Sequence, residues 1–244
     1  MCRMLGVVFT REFPMETLAD LRCESETGEI PGEKERGHRD GWGIVSFRDG
    51  NPRYIGRSPR PAFLDPSFDS ALCDVPELVP PNILIAHVRA ASKGTATLPN
   101  THPFVVDGIV LGHNGTIESF QPKTTREPKG ETDSERLALL VADRYDEKKD
   151  LRAALRSVIL DEMSEHEFSS AIMLASDGRV LCGYRDFAQK DRARYYNLRL
   201  CQCGNFVGLF QETYLGYEGR ISQVKKGELV SVDLDLKVKR EQVA

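Results

Sequence analysis

The sequence predicts an α+β fold built on antiparallel sheet. Short apolar segments with β character recur from one end of the chain to the other, and several are bounded by turn dipeptides. Helical spacing is confined to one stretch near the N-terminus and two in the middle, so strands and helices do not alternate as βαβ repeats would.

The elements follow in order. Leu5–Thr10 reads as the first strand. After Pro14, Met15–Cys23 reads as a helix. Further strands are expected at Gly43–Phe47, Ile83–Arg89 and Ile109–His113. Asp133–Tyr145 places Leu137, Leu140 and Val141 on one helical face, and Leu151–Leu160 does the same with Leu151, Leu155, Val158 and Ile159. Strands return at Ser170–Ser176, Arg179–Tyr184, Asn205–Leu209 and Glu228–Leu234. Ser176-Asp-Gly-Arg179 between two apolar runs predicts a hairpin. The polar segments Glu24–Arg36 and Gln121–Gly130 read as loops and, with Pro52–Pro80, as candidate rims of a site.

The 244 residues show no repeat, linker or composition break, so residues 2–244 are expected to form a single domain, with Met1 removed. The 40% hydrophobic and 29% charged residues are ordinary for a globular protein, and the net charge of −4 speaks against a nucleic acid partner. Apolar runs such as Asn82–Ala86 are far too short to span a bilayer, so no membrane partner is expected. No secretory leader is read, and the six scattered cysteines are expected to stay reduced in the cytoplasm. Cys201-x-Cys203 lacks further ligands nearby and reads as a strand face rather than a zinc site. No metal and no cofactor are expected.

Cys2 directly follows the initiator methionine. Removal of Met1 would give it a free α-amine, which titrates near ~7.7–8.0 and is able to serve as base for the thiol. An incidental cysteine is the plain alternative. Other candidates cluster in the first 135 residues. Gly37-His-Arg-Asp-Gly-Trp-Gly43 is a glycine-rich turn holding the only tryptophan; Trp42 is counted as a substrate-binding candidate, with a packed indole as the other reading. In His87-Val-Arg-Ala-Ala-Ser92 an arginine fork suits a carboxylate, though an arginine paired to a structural acid would look the same. Asn100-Thr-His-Pro-Phe104 follows. In Leu111-Gly-His-Asn-Gly-Thr116 the Asn amide and the next N–H suit an oxyanion, or form a simple turn. Thr132-Asp-Ser-Glu135 opens a helix as a cap, or offers Asp133 to an ammonium group.

In this order the motifs resemble the class II glutamine amidotransferases, from Cys2 to about Arg136. The resemblance implies an N-terminal-nucleophile (Ntn) hydrolase fold, a four-layer αββα sandwich of two antiparallel sheets. It implies Cys2 as nucleophile with its α-amine as base, and Asn114 and Gly115 as the oxyanion hole. It also implies Arg89 as clamp for a substrate carboxylate with Ser92 nearby, Asp133 as ammonium acceptor, and His102 as a structural or loop-ordering histidine. The implied reaction cleaves the γ-amide of glutamine or a γ-glutamyl compound through a thioester. Sugar-linked synthases of the class often carry His where this chain has Lys93, which puts their loop-closing contacts in doubt here. Only about 110 residues follow Asp133, so the chain resembles the stand-alone branch, including the γ-glutamyl amide hydrolases of glutathione and ergothioneine metabolism. The alternatives are a glutaminase subunit feeding ammonia to a separate synthase, a non-catalytic γ-glutamyl sensor, and a zinc site on His87, His102 and His113.

Overall fold

The structure, a computed structural model, describes residues 2–212 and 219–244. Its strands form two sheets, and every strand pair is antiparallel. The first contains β1 (Arg3–Phe9), β2 (Trp42–Arg48), β3 (Asn51–Ser58), β4 (Asn82–Val88), β9 (Arg199–Gln202), β10 (Phe206–Phe210) and β11 (Arg220–Gln223), in the order β11-β9-β10-β1-β4-β2-β3. The second contains β5 (Phe104–Val106), β6 (Ile109–Ile117), β7 (Phe168–Ser176), β8 (Val180–Phe187), β12 (Glu228–Asp233) and β13 (Val238–Gln242), in the order β13-β12-β8-β7-β6-β5.

Each sheet is buried on both faces, which is why β1 reads as a continuous apolar run rather than an alternating one. Met4 and Val8 of β1 point toward the second sheet and pack with Ile172, Leu174 and Leu181. Leu5, Val7 and Phe9 point the other way, toward α1 (Glu16–Thr27) and α2 (Pro66–Asp74). On the far side, α3 (Asp133–Lys148) and α4 (Leu151–Ser157) cover the second sheet through Leu137, Leu140, Val141 and Leu155. The result is the four-layer αββα sandwich that the resemblance implied. At Gly6 a Cβ would lie 2.9 Å from the Leu181 side chain, so a glycine stands where the sheets approach.

All eight strands and three helices read from spacing are present, displaced by a few residues at their ends. Thr132 caps α3 by accepting from Glu135 N–H at 3.1 Å. Glu135 does not reach back to complete a capping box; it accepts instead from Lys129 and Gly130 N–H, at 2.8 and 2.7 Å, and ties the preceding loop to the helix. Pro52–Pro80 is largely not a rim: it folds as edge strand β3 and helix α2 over the first sheet. Pro52 and Gly56 obscure β3, although an edge position tolerates proline. The signal for α2 was present in Asp65-Pro66, a cap followed by proline at the first helical position.

Leu174 is fully buried between the sheets. Leu174→Ala is expected to cost about 2–5 kcal/mol of stability, read as a lowered urea midpoint at unchanged slope.

Candidate active site

Cys2 stands at the head of β1, near the middle of the first sheet, and is 6% exposed. Its backbone N–H donates to Asn114 Oδ1 at 2.9 Å, and Asn114 Nδ2 donates to the Cys2 carbonyl at 2.9 Å. One side-chain amide of β6 thus grips both main-chain polar groups of Cys2 and bridges the two sheets. The Cys2 Sγ lies 3.9 Å from the Ala90 carbonyl, just beyond β4.

The next residue, Gly115, sits where β6 slips register against β7. A Cβ there would lie 1.8 Å from the Ser170 carbonyl oxygen, so no other residue fits. The irregularity is held from several sides. Ser170 Oγ donates to the Asn114 carbonyl at 2.9 Å, and Thr116 N–H donates to Ser169 Oγ at 3.0 Å. Ile117 N–H donates to Asp133 Oδ2 at 2.6 Å. Asp133 opens α3, so the helix start and the irregular end of β6 share one carboxylate. No hydrogen bond reaches its Oδ1 among the described residues.

Arg89 is 2% exposed, and among the described residues no acid pairs with it. Its guanidinium donates to main-chain carbonyls instead: Lys93 at 2.7 Å, Thr95 at 3.1 Å, Gly94 at 3.3 Å and Asp40 at 3.5 Å. The glycine-rich turn supports this arginine. Arg89 N–H donates to the Gly41 carbonyl at 2.9 Å, and Asp40 Oδ2 accepts from Ala91 N–H at 2.7 Å. The 92–95 segment is fastened to the end of β6 by Ser92 Oγ with Thr116 Oγ1 at 2.8 Å and by Lys93 Nζ with Glu118 Oε2 at 2.9 Å. Lys93, the departure noted in the sequence, thus makes its own loop-closing contact.

Cys2, Arg89, Ser92, His102, Gly115 and Asp133 line one small cavity of about 10 Å³, room for roughly a single water. The sequence set therefore comes together, with Asn114 holding Cys2 beside it. Trp42 does not join it. Its ring is fully buried on the helix side of the first sheet, edge-on to Phe68, with Nε1–H donating to Asp65 Oδ2 at 3.1 Å. This corrects the substrate-binding assignment of Trp42: the indole is a packed core residue with its polar atom satisfied.

The histidines are buried beside the cavity. The His87 and His102 rings stack at 4.4 Å, and His113 Nδ1 lies 2.8 Å from Ser134 Oγ. Burial pushes all three toward the neutral form, His87 and His102 strongly and His113 against the attraction of Asp133. Among the described residues no three His, Cys, Asp or Glu side chains are arranged to hold a metal ion, so the three-histidine zinc reading gains no support. Among the described residues neither ring nitrogen of His102 has a hydrogen-bond partner.

Sequence reasoning missed a second group on the other side of Cys2. Tyr195 Oη lies 3.4 Å from the Cys2 carbonyl and 3.2 Å from His38 Nε2. Arg3 Nη1 also lies 3.4 Å from that carbonyl, and the guanidinium stacks on the Tyr195 ring at 3.7 Å. His38 belongs to the glycine-rich motif and Arg3 adjoins the nucleophile, but nothing in the local pattern marks Tyr195, which arrives from 193 residues away.

Among the described residues no helix is long and apolar enough to cross a membrane. The family model of class II glutamine amidotransferases matches residues 1–200. A protein of Escherichia coli (strain K12) named "Putative glutamine amidotransferase YafJ" is 31% identical over 196 residues, 75% of this chain and 72% of that one. An uncharacterized protein of Methanocaldococcus jannaschii is 28% identical over 236 residues, 93% of this chain but only 62% of its own length. The solved glutamine aminotransferase class-II domain protein from Silicibacter pomeroyi superimposes over 100% of both chains with a TM-score of 0.63 at 17% identity, a likeness of fold.

The buried histidines set a pH dependence. Burial lowers His38 from 6.5 to about 3. The unfolded chain therefore binds protons that the folded chain refuses, and stability is full above about 6.5 and is lost progressively as pH falls toward 3. The melting temperature is expected to fall between pH 7 and pH 5, before most carboxylates titrate; a flat profile there would contradict buried neutral histidines.

Proposed function

The chain belongs to the class II glutamine amidotransferases, and on that premise we propose that it cleaves the γ-amide of glutamine or a γ-glutamyl compound through a thioester on Cys2. The observation that carries this reading is the single small cavity on which Cys2, Arg89, Gly115 and Asp133 converge. The proposal requires that Met1 be removed, because only then is the Cys2 nitrogen an amine able to act as base.

The α-amine takes the thiol proton and the thiolate attacks the γ-carbonyl. Negative charge develops on the carbonyl oxygen. A primary amide carries two N–H donors. Asn114 spends one on the Cys2 carbonyl, which leaves the other, with Gly115 N–H, for the oxyanion. The proton passes to the leaving amine, ammonia or the amine departs, and water then releases glutamate from the thioester. Asp133 Oδ1 receives the substrate ammonium while Oδ2 stays with Ile117 N–H.

The cavity as it stands has no room for glutamine, so on this reading the 92–95 segment, which Arg89 holds by its carbonyls, moves for substrate to enter. Arg89 then exchanges neutral carbonyls for a carboxylate. Charge-assisted hydrogen bonds are roughly twice as strong as neutral ones, so the exchange favours a ligand with a free α-carboxylate. Ser92 opens with the segment, and His102 orders the wall against which it closes. The same closure favours one further reading, a glutaminase subunit that a separate ammonia-consuming synthase opens. Turnover that rises several-fold on adding such a partner would support it; a high unstimulated rate would sink it.

In protein confirmed by mass to lack Met1, ammonia and glutamate release from glutamine and γ-glutamyl dipeptides tests the proposal. Cys2→Ala is expected to abolish release, and Asn114→Ala to lower turnover about 10²–10³-fold. Arg89→Met is expected to raise KM more than it lowers kcat. Absence of any Cys2 adduct with diazo-oxo-norleucine would favour the non-catalytic sensor instead.

A further inference from the structure

The Cys2 main chain is gripped from two directions. Asn114 holds it from the second sheet. Arg3 and Tyr195, both buried, at 3% and 7% exposure, hold it as well. Arg3 is fixed by Glu212 at 2.5 Å, by Glu24 at 3.7 Å, and by stacking on the Tyr195 ring at 3.7 Å. Its Nη1 lies 3.4 Å from both the Cys2 and the Tyr195 carbonyls.

The Tyr195 hydroxyl has one proton and two acceptors. His38 Nδ1 faces the Glu24 carbonyl at 2.8 Å, and a carbonyl only accepts, so Nδ1 carries the ring proton. His38 Nε2 is then an acceptor, and the Tyr195 proton is shared between it and the Cys2 carbonyl. Tyr195 thus links His38, itself anchored on α1, to the residue that carries the nucleophile.

We propose that Tyr195 and Arg3, backed by His38, are positioning residues for Cys2: they orient its main chain and place a fixed positive charge at its carbonyl, in the same residue as its α-amine. This rests on the reaction proposed above. The main-chain orientation of a terminal residue decides where both its thiol and its amine point, and misplacement by about 1 Å costs up to 10²-fold in rate. The charge acts separately. Arg3 is the cation at the Cys2 carbonyl, with Glu24 and Glu212 behind it and His38 and Tyr195 alongside. On the cavity side the facing groups are Arg89, Lys93, His102, His113 and Asp133. Removing Arg3 takes away a cation and leaves its two carboxylates unbalanced, so the amine holds its proton to higher pH.

Two readouts test this in protein lacking Met1: steady-state turnover, and the pH dependence of Cys2 alkylation by iodoacetamide followed by mass spectrometry. Tyr195→Phe keeps the ring under Arg3 and removes only the hydroxyl. It is expected to lower kcat about 10-fold with KM nearly unchanged. Arg3→Met is expected to move the acid limb of alkylation upward by about one pH unit, and Arg3→Lys to restore it. Arg199→Met, in the same outer cleft but without contact to Cys2, is expected to leave the limb in place. Wild-type kcat in folded Tyr195→Phe together with an unmoved limb in folded Arg3→Met would overturn the proposal. If wild-type protein turns over no γ-glutamyl compound, the proposed reaction fails, while the iodoacetamide profiles still decide whether Arg3 sets the charge at Cys2.

Discussion

The site depends on one reciprocal contact, the two 2.9 Å hydrogen bonds between the Asn114 amide and the Cys2 main chain. It joins the first residues of one sheet to the interior of the other at a point where backbone pairing between sheets is impossible. An amide has a donor and an acceptor at fixed separation, so it recognises a peptide unit as a neighbouring strand would. Asn114 is fully buried, and loss of its side chain would leave both Cys2 groups to find other partners in a dry environment. The irregular end of β6 follows from the same demand. Asn114 must face Cys2 while Gly115 passes under Ser170, and only a residue without a side chain can make that passage.

Around this contact the cavity is built of groups that are neutral or already engaged. The histidines are held neutral by burial, and Asp133 gives one oxygen to a backbone N–H. Arg89, the one buried cation on the cavity wall, is satisfied by carbonyls of the segment that covers it. A buried charge without partners is costly, so the closed arrangement resolves the arginine without an acid that would compete permanently for it.

Much of this was legible in the sequence. The strands showed in their apolar runs, and α3 showed in its 3.6-residue spacing and its Thr132 cap. The site residues on strand ends showed because motifs such as His-Asn-Gly are local. What escaped was of two kinds. The edge strands β3, β5, β11 and β13 and helix α2 escaped because they are short or because Pro52, Gly56 and runs of mixed polarity hid their periodicity. Tyr195 escaped because its meaning is wholly tertiary: it reaches Cys2 across 193 residues of chain, and its local sequence is a polar turn. Trp42 was misread for the opposite reason, since a lone tryptophan among glycines looks like a ligand platform when the indole is a core residue packed against β3. At Gly56 a Cβ would strike that ring at 2.6 Å.

The carbonyls gathered by Arg89 have a consequence for discrimination. They act as an internal competitor, tethered and always present, for the fork that would bind a carboxylate. On the proposed reaction a ligand would have to outbid them, so its apparent affinity would be its intrinsic affinity scaled by the fraction of chains with the segment released. On the proposed reaction, weak anions and amides that merely resemble the γ-glutamyl group would be filtered before they meet the thiol. On that reading the segment would set a threshold as well as a barrier, and its own sequence, from Ser92 to Thr95, would tune how much binding energy a molecule must bring to be admitted at all.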